Sequence, residues 1–162
     1  MIERAVTVDD LGHAGTWFTA DLQPRIAAQL VSLARLRRCA AGDVLLREGD
    51  PADELGIVMT GRIALRLRVP ERGSVTILTV EPGDVVGWSA VVPPHRSTST
   101  AIALVPSQML SFPGGELRAA LDADSALAAA VYPRVLRAVA RRLDGTRLQL
   151  LDVFTAPGVE PW

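Results

Sequence analysis

Apolar positions follow two rhythms along this chain, and the switch between them divides it into a helical start, a strand-rich middle and a helical end. Ile26, Ala27, Leu30, Leu33 and Ala34 recur at helical spacing. Asp21-Leu22-Gln23-Pro24 precedes them, with Asp21 as the candidate cap and Pro24 in the first turn, where its missing N–H costs nothing. The pattern predicts a short amphipathic helix ending near Arg35. Ahead of it, Met1 to Thr19 shows no period, so residues 1–20 are expected to form a loosely packed arm.

From Leu36 to Phe112 short apolar runs alternate with turn residues. Ala41-Gly42-Asp43, Glu48-Gly49-Asp50-Pro51, Thr60-Gly61, Glu71-Arg72-Gly73 and Pro82-Gly83-Asp84 supply the punctuation. Strands are predicted between them at Val44–Leu46, Leu55–Met59, Arg62–Val69, Ser74–Val80, Ser99–Leu104 and Gln108–Phe112. Arg62–Val69 alternates cleanly: Ile63, Leu65, Leu67 and Val69 face one way, Arg62, Arg66 and Arg68 the other. Many short strands at near-regular spacing predict a barrel or jelly-roll.

Helical spacing returns after Pro113. Short helices are expected at Glu116–Leu121 and Ser125–Tyr132. Pro133 then opens a last helix, about 133–153, at its first position. Leu136, Val139, Leu143, Thr146, Leu150 and Val153 follow the 3-4 spacing of a coiled-coil seam. Gly145 interrupts it at about 1 kcal/mol relative to Ala. The seam predicts a homodimer through this helix, centred on Leu136, Val139, Leu143 and Leu150. The tail, 154–162, is expected to be irregular.

Composition narrows the function. The 162 residues fit one domain, here 21–153, and 49% of them are apolar. Basic and acidic residues nearly balance, 17 against 18, so no net field favours nucleic acid or an anionic membrane. Arg35, Arg37, Arg38 and the arginines from Arg134 to Arg147 read as solvated faces. Cys39 is the one cysteine, which excludes an internal disulfide and a thiolate metal cluster. With only His13 and His95 as further soft ligands, no metal site is expected. The acidic N-terminus and the lack of a long apolar run argue against a leader or a membrane span, so the expected location is the cytoplasm. No Ser-His-Asp set, catalytic carboxylate pair or triphosphate loop is visible, so no enzyme is expected.

The run from Ala41 to Arg62, A-G-D-V-L-L-R-E-G-D-P-A-D-E-L-G-I-V-M-T-G-R, resembles the first half of a cyclic nucleotide-binding domain. Val80-Glu81-Pro82-Gly83-Asp84-Val85-Val86-Gly87 is similar to the segment leading into that family's phosphate-binding cassette. The resemblance runs from about Leu22 to Val153. It implies a mainly β fold with flanking α: a double-stranded β-helix (jelly-roll) β-roll, about 36–112, followed by a long dimerisation helix. It also implies a regulatory domain like the catabolite-activator sensors. With the chain ending at Trp162, no space for their helix-turn-helix is expected.

A cyclic nucleotide presents a phosphate, a ribose hydroxyl and a flat base. Such a guest needs N–H donors with a cation, an acceptor, and an apolar wall. Gly87 and Ala90 match the family cassette. Trp88 stands where the resemblance places the ribose-binding Glu, Ser97 stands at the phosphate-binding Arg, and Arg96 lies one residue early. Strand alternation would point an Arg96 offset by one residue to the wrong face. Ser89, Ser97 and Thr98 supply hydroxyls and amides. Ala140-Arg141-Arg142-Leu143-Asp144-Gly145-Thr146 resembles the activator helix whose Thr meets the adenine edge, which points to Thr146. Trp88 either stacks on a guest or fills the pocket as core. The expected site is therefore Gly87, Trp88, Ser89, Ala90, Arg96, Ser97, Thr98 and Thr146, with no cofactor and with cAMP or cGMP as the ligand. The expected function is a stand-alone sensor for a cyclic mononucleotide, cAMP first, that signals through its last helix to a protein partner. The alternative is a degenerate module that binds no nucleotide and serves protein–protein assembly.

Overall fold

The computed structural model describes residues 5–13 and 17–155, with the backbone alone at 13 and 153–155. Two helices, α1 (Val8–His13) and α2 (Pro24–Leu33), lead into eight strands. These are β1 (Arg35–Cys39), β2 (Val44–Leu46), β3 (Glu54–Thr60), β4 (Ile63–Val69), β5 (Gly73–Val80), β6 (Val85–Val86), β7 (Thr100–Ala103) and β8 (Ser107–Pro113). A 3₁₀ turn, Trp88–Ala90, links β6 to the loop before β7, and α3 (Gly114–Ala123) and α4 (Ser125–Thr155) close the chain. The predicted jelly-roll is present as two antiparallel sheets, ordered β1-β8-β3-β6 and β2-β7-β4-β5.

The first sheet is apolar on both faces. Cys39, Val58, Val86 and Met109 point into the roll and meet Leu45, Ile63, Leu65 and Ala101 of the second sheet. Leu36, Leu55, Ile57, Leu110 and Phe112 point outward and pack under the helices. That is why Leu55–Met59 reads as an unbroken apolar run. Ile26, Ala27 and Leu30 of α2, Leu117 and Leu121 of α3, and Leu127, Val131, Val135 and Ala138 of α4 complete this outer layer.

Four expectations change. Among the described residues ahead of α2, Val6, Leu11 and Phe18 are buried in the outer layer, anchored by apolar contact rather than by a recognisable period. Gln23, not Asp21, occupies the cap of α2, because Pro24 fixes the first turn and Asp21 takes a left-handed conformation (φ 56°). Arg35–Cys39 and Val85–Val86 are strands that short, charged or two-residue patterns concealed. Finally, α4 begins at Ser125 and runs through Pro133. Leu127, Val131, Val135 and Ala138 form one buried stripe across the proline, and this burial outweighs the lost backbone hydrogen bond. The tail from 156 and the side chain of Val153 lie outside the described residues.

Candidate functional site

The second sheet, the loop after β6 and α4 enclose a cavity of about 190 Å³. Its apolar wall is Leu46 of β2, Leu65 and Leu67 of β4, Ile77 of β5 and the indole of Trp88. The inward face of β4 is the one its alternation marked. Its polar rim is Ser89, Ser97, Thr98 and Ser99, opposed by Arg142 and Thr146 of α4. None of the lining residues is acidic.

Gly87 sets the geometry of the loop. Its φ of 74° is left-handed, and a Cβ there would stand 2.3 Å from the Glu54 carbonyl oxygen. The backbone can therefore turn from β6 into the 3₁₀ turn only at a glycine. Inside that turn the Ala90 and Val91 N–H groups donate to the carbonyls of Gly87 and Trp88. Farther along, Ser97 is held by its backbone: its N–H donates to Asp50 O (2.9 Å) and its carbonyl accepts from Gly49 N–H (2.8 Å). This clamp fixes a buried Ser97 hydroxyl at the cavity with no hydrogen-bond partner among the described residues.

The sequence-derived residues separate into two groups. Gly87, Trp88, Ser89, Ser97, Thr98 and Thr146 come together around the cavity. Ala90 does not: it is fully buried beneath α3, and its carbonyl accepts from Arg118 Nη1 at 2.6 Å. Nor does Arg96, which is exposed and donates from Nη1 to the Gly49 carbonyl at 2.8 Å. Arg96 lies ahead of β7 in an isolated bridge with Pro51, and its guanidinium is tied to the Gly49 carbonyl while Ser97 faces the cavity.

Arg142 supplies the cavity's cation, and the sequence reading passed over it as part of a basic helix face. Its Nη2 donates to the Val85 carbonyl at 3.0 Å, while Nη1 is buried and unpartnered among the described residues. Burial lowers its pKa and the Asp84 carboxylate opposes that shift, but a guanidinium keeps its charge at any physiological pH. The available signal was spacing: Arg142 lies four residues before Thr146, one turn away on the same helix face. Thr146 itself donates back to the Arg142 carbonyl at 2.9 Å. Gly145, read as a cost to the helix, permits close approach, since a Cβ there would stand 3.3 Å from Leu78 Cδ1.

A second, larger groove of about 620 Å³ lies beside β1 and β2. Part of its charge is paired: Arg37 bonds Glu54, Glu54 also accepts from Ser111, and Arg35 bonds Glu116. The smaller cavity leaves Arg142 Nη1 and Ser97 Oγ without partners among the described residues and is the better candidate site.

Along α4 the seam residues also divide. Leu136, Leu143 and Leu150 are exposed, at 69%, 50% and 53%. Val139 is half-buried, and Thr146 turns toward the cavity. Among the described residues no helix is long and apolar enough to cross a membrane, and no cluster of potential metal ligands occurs.

A β-roll with a polar-rimmed cavity closed by its terminal helix defines a class of regulatory ligand-sensing domains. The profile of the cyclic nucleotide-binding domain matches residues 36–124, and the chain belongs to that family. It is 32% identical over 120 residues, 72% of its length, to the CRP-like cAMP-activated global transcriptional regulator of Mycobacterium tuberculosis, covering 51% of that protein. Over 89 residues, 55% of the chain, it is 29% identical to the acetyltransferase Pat of Mycolicibacterium smegmatis, covering 26% of it. The chain thus spans about half or less of the curated relatives it matches. The N-terminal domain of a transcriptional regulator from Streptomyces coelicolor superposes with a TM-score of 0.63 at 32% identity, over 80% of this chain and 89% of that one.

Proposed function

We propose that this chain is a regulatory sensor domain that binds a cyclic mononucleotide, cAMP first, in the cavity between the β6–β7 loop and α4. It passes the signal on through α4. The observation that carries this reading is the meeting of Arg142 and Thr146 with Ser97 around one apolar-walled cavity. The cyclic phosphate would be held by donors, and the base would lie against Trp88 and the leucines. The exposed stripe Leu136, Leu143, Leu150 fits a homodimer seam, so that a helix shift in one protomer is felt by its partner. In this reading the domain catalyses nothing, acts in the cytoplasm and hands its signal to a protein partner.

Calorimetric titration of the purified chain with cAMP and cGMP tests the proposal. Binding should also stabilise the fold by about 2.7 kcal/mol at a hundredfold excess over Kd. Neither heat nor a thermal shift at millimolar nucleotide would remove it. A second reading, an assembly module that binds no nucleotide, is favoured by one observation. The cavity of about 190 Å³ is smaller than the roughly 300–1,000 Å³ usual for ligand pockets.

A further inference from the structure

Two buried polar atoms at the cavity lack a partner among the described residues, Arg142 Nη1 and Ser97 Oγ. They sit on opposite walls, one on α4 and one on the loop before β7. An unmatched buried donor costs free energy comparable to a lost hydrogen bond, and more when it is charged. The surrounding charges sharpen the mismatch. Arg141 Nη2 lies 3.5 Å from Asp84 Oδ1, and the same carboxylate attracts Arg142. One carboxylate facing two guanidinium groups leaves a surplus positive charge, while the cavity wall itself carries no acid.

We infer that Arg142 is the anion anchor of this site, so the ligand's charge is gripped from the signalling helix rather than from the loop, and that the site takes a monoanion with an apolar or aromatic body without reading a ligand hydroxyl. This rests on the sensor reading above. It adds a regulatory consequence: neutralising the anchor draws the ligand and α4 together, so occupancy bears directly on helix position. It also bears on selectivity: the cavity lining holds no carboxylate to accept from a ribose 2′-hydroxyl, and with Arg142 committed to the anion only weaker serine and threonine acceptors remain.

The test compares cAMP with 2′-deoxy-cAMP on the full chain and on Arg142→Gln, Arg142→Lys and Ser97→Ala, with melting of each unliganded variant to verify folding. The two nucleotides should bind within roughly threefold of each other, because a site that makes no bond to the hydroxyl does not reject its absence. Arg142→Gln should weaken both by about tenfold or more, with Arg142→Lys in between. Ser97→Ala should weaken both less, and Arg142→Lys keeps the test open if the Gln variant does not fold. Undiminished affinity in Arg142→Gln or, should that variant not fold, in Arg142→Lys overturns the anchor and leaves the nucleotide reading standing. A large loss for 2′-deoxy-cAMP overturns the selectivity and likewise spares that reading. If the wild type ignores cAMP altogether, the nucleotide reading falls, and benzoate against its neutral isostere benzamide decides the anchor. Stabilisation by benzoate alone that vanishes in Arg142→Gln upholds it, and no stabilisation by millimolar benzoate overturns it.

Discussion

The two halves of α4 live in different surroundings. From Leu127 to Ala138 the helix buries a continuous apolar stripe in the outer layer, packed with α2 and α3. Beyond Ala138 the side chains at Leu143, Leu148, Leu150 and Leu151 are exposed, and the helix meets the roll mainly through Arg142, Gly145 and Thr146, around cavities. The first half is held by the hydrophobic effect and the second by a few polar contacts. A segment of low local stability is the one a ligand of modest differential affinity can move. A single helix can therefore be both part of the core and the moving element of a sensor.

The contrast can be broken most strongly from its buried side. Leu127→Ala removes a fully buried side chain and should cost about 2–5 kcal/mol in urea unfolding. A loss below about 1 kcal/mol would mean that the first half is not an anchor. Next in size, Gly87→Ala forces a Cβ into the Glu54 carbonyl at a left-handed position, and a strained residue of that kind costs about 1–3 kcal/mol. A lower melting temperature together with lost nucleotide binding is expected, since the same turn shapes the cavity mouth. On the exposed half, Leu143→Ala should shift monomer stability by no more than about 0.5 kcal/mol. It should instead weaken self-association in sedimentation velocity, and an unchanged dimer would place the seam elsewhere.

The smallest effect concerns the start of α4. Asp124 accepts from the Ala126 and Leu127 N–H groups and pairs with Arg25 and Gln29. The Arg25 hydrogen bond, then the Leu127 N–H, hold its pKa well below the usual carboxylate range. The folded value thus lies below the unfolded value of about 4, so its stabilisation is present above pH 4 and fades as pH falls toward the folded value. Melting temperature measured from pH 6 to pH 2 should decline through this window, and Asp124→Asn should flatten the decline.

What the sequence made legible follows from how each feature is encoded. Turn residues and alternation are local, so Val44–Leu46 and Ile63–Val69 emerged almost to the residue, and the roll came out as 35–113 against an expected 36–112. Features set by tertiary contact were hidden. Val6, Leu11 and Phe18 show no period because only Leu11 lies on a helix, the six-residue α1, and the other two join the same core from outside any element. Pro133 read as a helix start because the stripe that carries α4 through it is recognisable only once its packing with α2 and α3 is known. At the site, spacing pointed to Gly87, Trp88, Ser89, Ser97 and Thr98, which meet at the cavity, but also to Ala90 and Arg96, which lie away from it because one is buried beneath α3 and the other is tied to the Gly49 carbonyl. Arg142 was not legible, because an arginine on a basic helix looks like surface until its guanidinium is seen bonded to the Val85 carbonyl.

Hydrogen–deuterium exchange along α4, with and without saturating cAMP, addresses the central claim most directly. Amides from Arg142 onward should exchange fast in the free protein and become protected with ligand, while those near Leu127–Val135 stay slow in both states. Equal exchange beyond Arg142 in both states, with the nucleotide demonstrably bound, would contradict a sensor whose ligand acts through its terminal helix.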